Sequence, residues 1–203
     1  SSGPGISLMS EGISYIAGAE VPCVLSNMMR GGPGLGGILP AQADYLQATK
    51  GGGHGDYRLL VLAPSTLQEG LDLTMLAFDL AEIYRNPVMV LADGFMGQMM
   101  EAVNFKKPEA RELPDKKEWA IGYMKERGKR ALVESVHLDP DEREGHNWKL
   151  QAKYKRMVER ETRVETYLLD DAEIVVAAFG TTARIARSSV DSMREQGIKA
   201  GMV

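Results

Sequence analysis

Arg30 closes an apolar run, Val21 to Met29, and is followed at once by Gly31-Gly32-Pro33-Gly34-Leu35-Gly36-Gly37. A guanidinium at a strand end, beside backbone that carries almost no side chains, suits a two-pronged grip on a small carboxylate, with nearby backbone amides adding donors. An arginine pairing at the rim of a sheet fits the same position equally well. A second glycine cluster, Gly51-Gly52-Gly53-His54-Gly55-Asp56, holds His54 close to Asp56. Imidazole can orient a carbonyl or exchange a proton near neutrality, although a lone loop histidine more often only hydrogen-bonds. Ser2-Gly3-Pro4-Gly5 puts small residues and free amides at a helix N-terminus, where an anion or the polar edge of a ring can be held. A plain turn into a helix explains the same four residues.

Other chemistry is poorly served. Gly32, Gly34 and Gly37 satisfy G-x-G-x-x-G spacing, but Ile38-Leu39-Pro40 prevents a helix from starting at the third glycine, as a pyrophosphate site requires. His54, His137 and His146 lack the cysteine or carboxylate spacing of a metal site, so no metal is expected on this chain. Cys23 is the only cysteine and sits in an apolar strand pattern, which excludes a disulfide framework or a cluster held by this chain's thiolates. Met96, Met99 and Met100 are expected as core or interface filler. A net charge of −4 gives no field for nucleic acid, and no apolar run approaches the roughly 20 residues that cross a bilayer. With no signal pattern at the start, the expected location is the cytoplasm.

The elements that must position these residues alternate between strand and helix. Ile6, Met9, Ile13 and Ile16 mark one face of a helix ending near Gly18, and Val21 to Met29 is the strand that delivers Arg30. A short helix is expected over Ala41 to Ala48, then a strand over Leu59 to Ala63. Ser65 and Gln68 form a capping-box pair for a helix whose apolar face runs through Leu67, Leu71, Met75 and Phe78 and which stops at Asn86-Pro87. Val88 to Leu91 is the next strand. Such alternation indicates an α/β fold with a parallel sheet covered on both faces.

Residues 104–165 hold 16 of the 24 basic and 13 of the 28 acidic side chains, a density that marks a solvated face. They are expected to form a connecting arm with one long helix, striped by Leu150, Tyr154, Met157 and Val158. The α/β pattern resumes with a strand over Glu173 to Phe179, a helix over Thr182 to Gln196 and a strand from Ile198. The chain opens on a strand-to-helix turn with no strand before it, so a missing upstream portion is expected.

Taken in order, four segments resemble one family: Ser1-Ser2-Gly3-Pro4-Gly5 with Ile6-Ser7-Leu8-Met9; Asn27-Met28-Met29-Arg30-Gly31-Gly32-Pro33-Gly34-Leu35-Gly36; Gly51-Gly52-Gly53-His54-Gly55-Asp56-Tyr57-Arg58; and Leu62-Ala63-Pro64-Ser65-Thr66-Leu67-Gln68-Glu69. Together they are similar to the α-type subunit of 2-oxoacid:ferredoxin oxidoreductases. The combination is far more specific than any one member. A turn like Ser2 to Gly5 also occurs in the pyrimidine-side domain of acetohydroxyacid synthase and its relatives.

The resemblance implies three regions: a pyrimidine-type thiamine diphosphate domain over 1–103, the charged arm over 104–166, and the start of a transketolase C-terminal-like domain over 167–203. It implies CoA-dependent oxidative decarboxylation of a 2-oxoacid, with 2-oxoisovalerate the most similar class, 2-oxoglutarate next and pyruvate less so, and with electrons passed to ferredoxin. Arg30, Gly31 and His54 would bind substrate, and Ser2, Gly3, Pro4 and Gly5 would face a thiamine diphosphate shared with a partner. A β-type partner subunit would hold the diphosphate, its Mg²⁺ and a 4Fe–4S cluster, in a homo- or heterodimeric arrangement. The family's pyrimidine-binding glutamate and substrate-holding threonine lie upstream of such a turn, so no catalytic acid or base is assigned within this chain, which is expected to be inactive alone. Two alternatives remain at this point: a non-oxidative thiamine carboligase subunit, and a silent scaffold.

Overall fold

The computed structural model describes residues 1–108 and 110–203. In chain order the elements are α1 (Pro4–Gly18), β1 (Cys23–Met29), α2 (Tyr45–Lys50), β2 (Leu60–Leu62), α3 (Leu67–Tyr84), β3 (Pro87–Asp93), α4 (Met124–Arg127), α5 (Pro140–Glu161), β4 (Ile174–Val176), α6 (Gly180–Glu195) and β5 (Ala200–Met202).

The first three strands form a parallel sheet in the order β1-β3-β2, with Cys23 opposite Pro87, Met29 opposite Asp93 and Leu60 opposite Val88. Every residue of β3 is buried, because the central strand is covered on both faces. Met89 and Leu91 point to one side with Leu25 and Met29, against Ile13 and Ala17 of α1. Val88 and Val90 point to the other with Leu60 and Leu62, against Ala77, Leu80, Ala81 and Tyr84 of α3. The strand period of two therefore sorts one sequence into two cores.

Four expectations are corrected. Helix α3 buries Ala77, Leu80, Ala81 and Tyr84, whereas Phe78 is 61% exposed. The alanines let the helix axis approach the sheet, so the bulkier Leu67–Phe78 stripe is not the face that packs best. Its cap lies one residue on from Ser65. Thr66 is extended and its Oγ1 accepts the Glu69 amide at 3.1 Å, while the Glu69 carboxylate accepts both the amide and hydroxyl of Ser65 at 2.7 Å. A carboxylate is a stronger acceptor than the amide of Gln68, which instead donates to Asp72 at 3.0 Å. Replacing Thr66 with alanine is expected to cost about 1 kcal/mol of stability, read from a denaturant midpoint.

Helix α2 starts at Tyr45, not Ala41, because Pro40 is drawn into an antiparallel bridge with Arg30 that keeps the preceding backbone extended. The stripe on the arm's long helix is narrower than expected. Leu150, Tyr154 and Met157 of α5 join the α3 core, whereas Val158 is 69% exposed. The charged composition covers the outer face of a helix whose inner face is part of the sheet's packing.

Beyond the arm, β4 and β5 pair in parallel, Ile174 opposite Ala200, and α6 connects them. The N-terminus of α6 meets the carboxyl edge of the first sheet. There Gln42 Nε2 donates to Phe179 O at 2.8 Å, and the Tyr45 and Phe179 rings lie 5.6 Å apart.

Candidate functional site

In a parallel α/β sheet the strands' carboxyl ends form the crevice where ligands bind. Here that edge gathers Arg30 after β1, Asp93 at the end of β3 and Pro64-Ser65 after β2.

Ser1 enters alongside β1: its amino group donates to Ser26 O at 2.8 Å and its carbonyl accepts the Met28 amide at 2.9 Å. The chain then turns at Gly3, whose φ of 50° is in the left-handed region that favours glycine. Pro4 opens α1, a position where its missing N–H costs nothing. The amides of Ser2 and Gly3 have no hydrogen-bond acceptor among the described residues.

Arg30 lies directly against this turn. Its Nε donates to Ser2 Oγ at 3.3 Å, and a Cβ placed on Gly3 would stand 3.1 Å from Nη2. On the other side Nη1 donates to Leu35 O at 2.5 Å and to Gly37 O at 2.8 Å. The loop thus folds back to satisfy the arginine, and Nη2 is left without an acceptor among the described residues. Gly31, whose amide donates to Leu39 O at 3.1 Å, closes the base of the same loop. No helix starts at Gly37, as the proline at position 40 implied.

Sequence patterns missed two further members of this edge. Asp93 is 4% exposed. Its Oδ1 accepts the amides of Phe95 and Met96 at 3.0 and 3.1 Å, and its Oδ2 accepts the Thr181 hydroxyl of α6. Asn27 is fully buried in β1, donates from Nδ2 to Asp44 Oδ2 at 3.0 Å, and leaves Oδ1 unpaired. An Asp-Gly pair at a strand end was the only signal for the first, and a polar residue inside an apolar strand the only one for the second.

His54 is placed elsewhere. Its carbonyl accepts from Ser14 Oγ at 2.7 Å, eleven residues beyond the turn at Gly3, so at the helical rise it stands roughly 16 Å along α1 from Arg30. Instead it lines a cleft of about 580 Å³ that also takes in His137 and His146, so the chain's three histidines share one cavity. Among the described residues no cluster of histidine, cysteine or carboxylate is placed to hold a metal ion.

In that cleft the His137 and His146 rings stack with centroids 4.4 Å apart, and His146 Nε2 donates to Gly18 O at 2.9 Å. Burial and then the neighbouring His137 hold the His146 pKa below its ordinary value, against the pull of the Gly18 carbonyl and Glu20. An unfolded chain takes up this proton near pH 6.5, the folded one only at lower pH. Stability carried by the stack is therefore complete above that value and lost as pH falls through it toward the folded pKa. Thermal melts at pH 7.5 and 5.5 should show this loss, and His146→Gln should flatten the slope.

No helix among the described residues is long and apolar enough to cross a membrane. A model of the thiamine diphosphate-binding domain of pyruvate flavodoxin/ferredoxin oxidoreductases matches residues 1–167. The ketoisovalerate oxidoreductase subunit VorB of Methanothermobacter thermautotrophicus is 54% identical over all 203 residues, which span 57% of that protein. The 2-oxoglutarate synthase subunit KorA of Methanocaldococcus jannaschii is 35% identical over the whole chain and 61% of its own length. The fold matches a 2-oxoglutarate:ferredoxin oxidoreductase from Magnetococcus marinus, solved with 2-oxoglutarate, coenzyme A and succinyl-CoA bound, at a TM-score of 0.79 and 23% identity, covering 99% of this chain and 40% of that one. The chain thus spans a little over half the length of the curated relatives it matches. With the turn, the arginine and the parallel sheet in place beneath a family match over residues 1–167, the chain belongs to the pyruvate flavodoxin/ferredoxin oxidoreductase family, in its thiamine diphosphate-binding domain.

Proposed function

We propose that this chain is the pyrimidine-side part of an α-type subunit that oxidatively decarboxylates a 2-oxoacid, 2-oxoisovalerate before 2-oxoglutarate, to an acyl-CoA and CO₂, with electrons passed to ferredoxin. The observation that carries this reading is Arg30 held against the Ser2–Gly5 turn at the carboxyl edge of the sheet. The turn fits a cofactor ring: the absence of a side chain on Gly3 lets the Arg30 guanidinium close against the turn, and the amides of Ser2 and Gly3 are free to meet a polar ring edge. Bound thiamine diphosphate supplies the carbanion chemistry that makes loss of CO₂ possible. This chain's own share is orientation and charge. Arg30 binds the substrate carboxylate and fixes its position next to the turn, and Gly31 lets backbone approach it.

A β-type partner subunit would hold the diphosphate, its Mg²⁺ and a 4Fe–4S cluster, consistent with one half-buried cysteine on this chain. We further assign residues 1–103 to the pyrimidine-type thiamine diphosphate domain, residues 104–166 to a connecting arm whose helix α5 packs on that domain, and residues 167–203 to the start of a transketolase C-terminal-like domain. A cytoplasmic location goes with this reading. The test is anaerobic, CoA-dependent viologen reduction by the complete subunit assembled with its partner, using 2-oxoisovalerate, 2-oxoglutarate and pyruvate in turn. Reduction with one of them, preferentially 2-oxoisovalerate, is the expected result. No reduction with any acid, with cofactor bound and clusters intact, would reject it in favour of a carboligase or a silent scaffold.

A further inference from the structure

We propose that the loop from Gly31 to Pro40 selects the substrate's side chain, with Leu35 as the residue that favours an aliphatic over an acidic 2-oxoacid. This rests on the preceding reading that Arg30 binds the carboxylate.

The ten residues of the loop are five glycines, two prolines, Leu35, Ile38 and Leu39, so only these last three carry side chains able to reach away from the backbone. All three face outward, at 82%, 90% and 75% exposure. Aliphatic side chains left this open beside a polar site are what an apolar ligand group would cover. Leu35 is fastened closest to the clamp, because its own carbonyl accepts from Arg30 Nη1 at 2.5 Å.

A 2-oxoacid is only a few bonds long, so a substituent on the carbon beyond the oxo group lies close to whatever surrounds Arg30. The surroundings have two sides. One is the Ser2–Gly3 turn, whose hydroxyl accepts from Arg30 Nε and whose glycine lies against the guanidinium, and which the cofactor reading already occupies. The other is the loop.

Charge points the same way. A 2-oxoacid with a second carboxylate needs a second cation or a set of donors at its far end. From Gly31 to Thr49 there is no lysine, arginine or histidine, and the one charged side chain is Asp44. An isopropyl group loses water against Leu35 and its neighbours at no such cost. One methylene more or less in an apolar pocket changes kcat/KM by roughly 10- to 200-fold, so a leucine in contact can set the preference.

The test uses the assembled enzyme and compares kcat/KM for 2-oxoisovalerate, 2-oxoglutarate and pyruvate. Leu35→Ala is expected to lower the ratio of 2-oxoisovalerate to pyruvate at least tenfold. Leu35→Arg is expected to raise the ratio of 2-oxoglutarate to 2-oxoisovalerate by at least the same factor. If Leu35→Arg fails to assemble, the Leu35→Ala ratio decides alone. Ratios unchanged, or a loss equal for all three acids, would overturn the selectivity role while leaving the carboxylate reading standing, provided Arg30→Ala impairs every acid alike. A wild-type enzyme that turns over none of the three removes the carboxylate reading and this inference with it.

Discussion

If the proposed function holds, replacing Arg30 with alanine in the assembled enzyme is expected to lower kcat/KM for the 2-oxoacid about 100-fold, with most of the change in KM. A hydrogen bond to a charged group contributes roughly 1.5–3 kcal/mol, and each 1.4 kcal/mol is tenfold, so losing one good contact to the carboxylate gives an effect of this size. The arginine also ties down its own loop through Leu35 O and Gly37 O and touches Ser2 Oγ, so the alanine variant frees backbone as well as removing charge. Arg30→Lys separates the two contributions. It keeps a cation near the carboxylate, but the three donors of one ammonium cannot reproduce the planar fork that spans Ser2, Leu35 and Gly37 and still leaves a nitrogen for the carboxylate. A partial recovery of KM in Arg30→Lys is the expected pattern. Steady-state kinetics in which KM is unchanged in both variants would leave Arg30 a loop anchor and nothing more.

The largest stability effect is expected far from this edge, at Glu20. Its carboxylate lies at the amino ends of the strands, between α1 and β1, and is 7% exposed. Lys153 of α5, 3% exposed, reaches it at 3.4 Å and also donates to Arg85 O at 3.2 Å, while Lys149 bonds its second oxygen. Burial alone would raise the Glu20 pKa, yet the hydrogen bond from Lys149 and the charge of Lys153 carry it below its ordinary value. Burial pulls the Lys153 pKa down to about 8, with Glu20 opposing the fall.

Glu20→Gln leaves a buried ammonium without its carboxylate, a change that costs about 3–5 kcal/mol. The matching Lys153→Met variant should lose much less, since Glu20 keeps Lys149 and the new side chain is apolar. The two are compared by thermal or denaturant unfolding of the full subunit. Raising the pH adds a sign test on the glutamine variant. The unfolded lysine holds its proton to about 10.4, whereas the folded one, already lowered to about 8 with Glu20 present, loses the charge that opposed that fall, so the unfolded state binds more protons and stability climbs as pH rises toward the unfolded value. Equal losses in the two variants, with no recovery at pH 9, would show that the pair fills space without acting through charge.

How much of this was written in the chain varies from element to element. Helix α1, strand β1 and strand β3 follow from apolar spacing, because a 3.6-residue or continuous apolar pattern has few other ways to be buried. The α3 face and its cap did not follow. Several stripes on one helix satisfy the same spacing, and Ala77 and Ala81 win only when the distance to the sheet is known. The Thr66 cap wins over Ser65 because Glu69 can reach backward, which depends on the local backbone angles. The α5 stripe was visible in Leu150, Tyr154 and Met157, but not that Lys153 between them is buried, since a lysine is placed inside only by a partner from elsewhere in the chain.

The same division holds for the site. Short-range chemistry belonged to the sequence: glycines and proline after β1 require an open loop, Ser-Gly-Pro-Gly requires a turn into a helix, and Arg30 must stand where β1 ends. Long-range placement belonged to the fold. Parallel pairing of β1 with β3 puts Asp93 beside Met29, α6 brings Thr181 to Asp93, and the rise of α1 carries His54 away from Arg30 and into the company of His137 and His146. Sequence order constrains neighbours within a turn or two, because hydrogen bonds and steric limits act over a few residues. Which distant groups meet is decided by burial of two core faces at once, and no local pattern contains that.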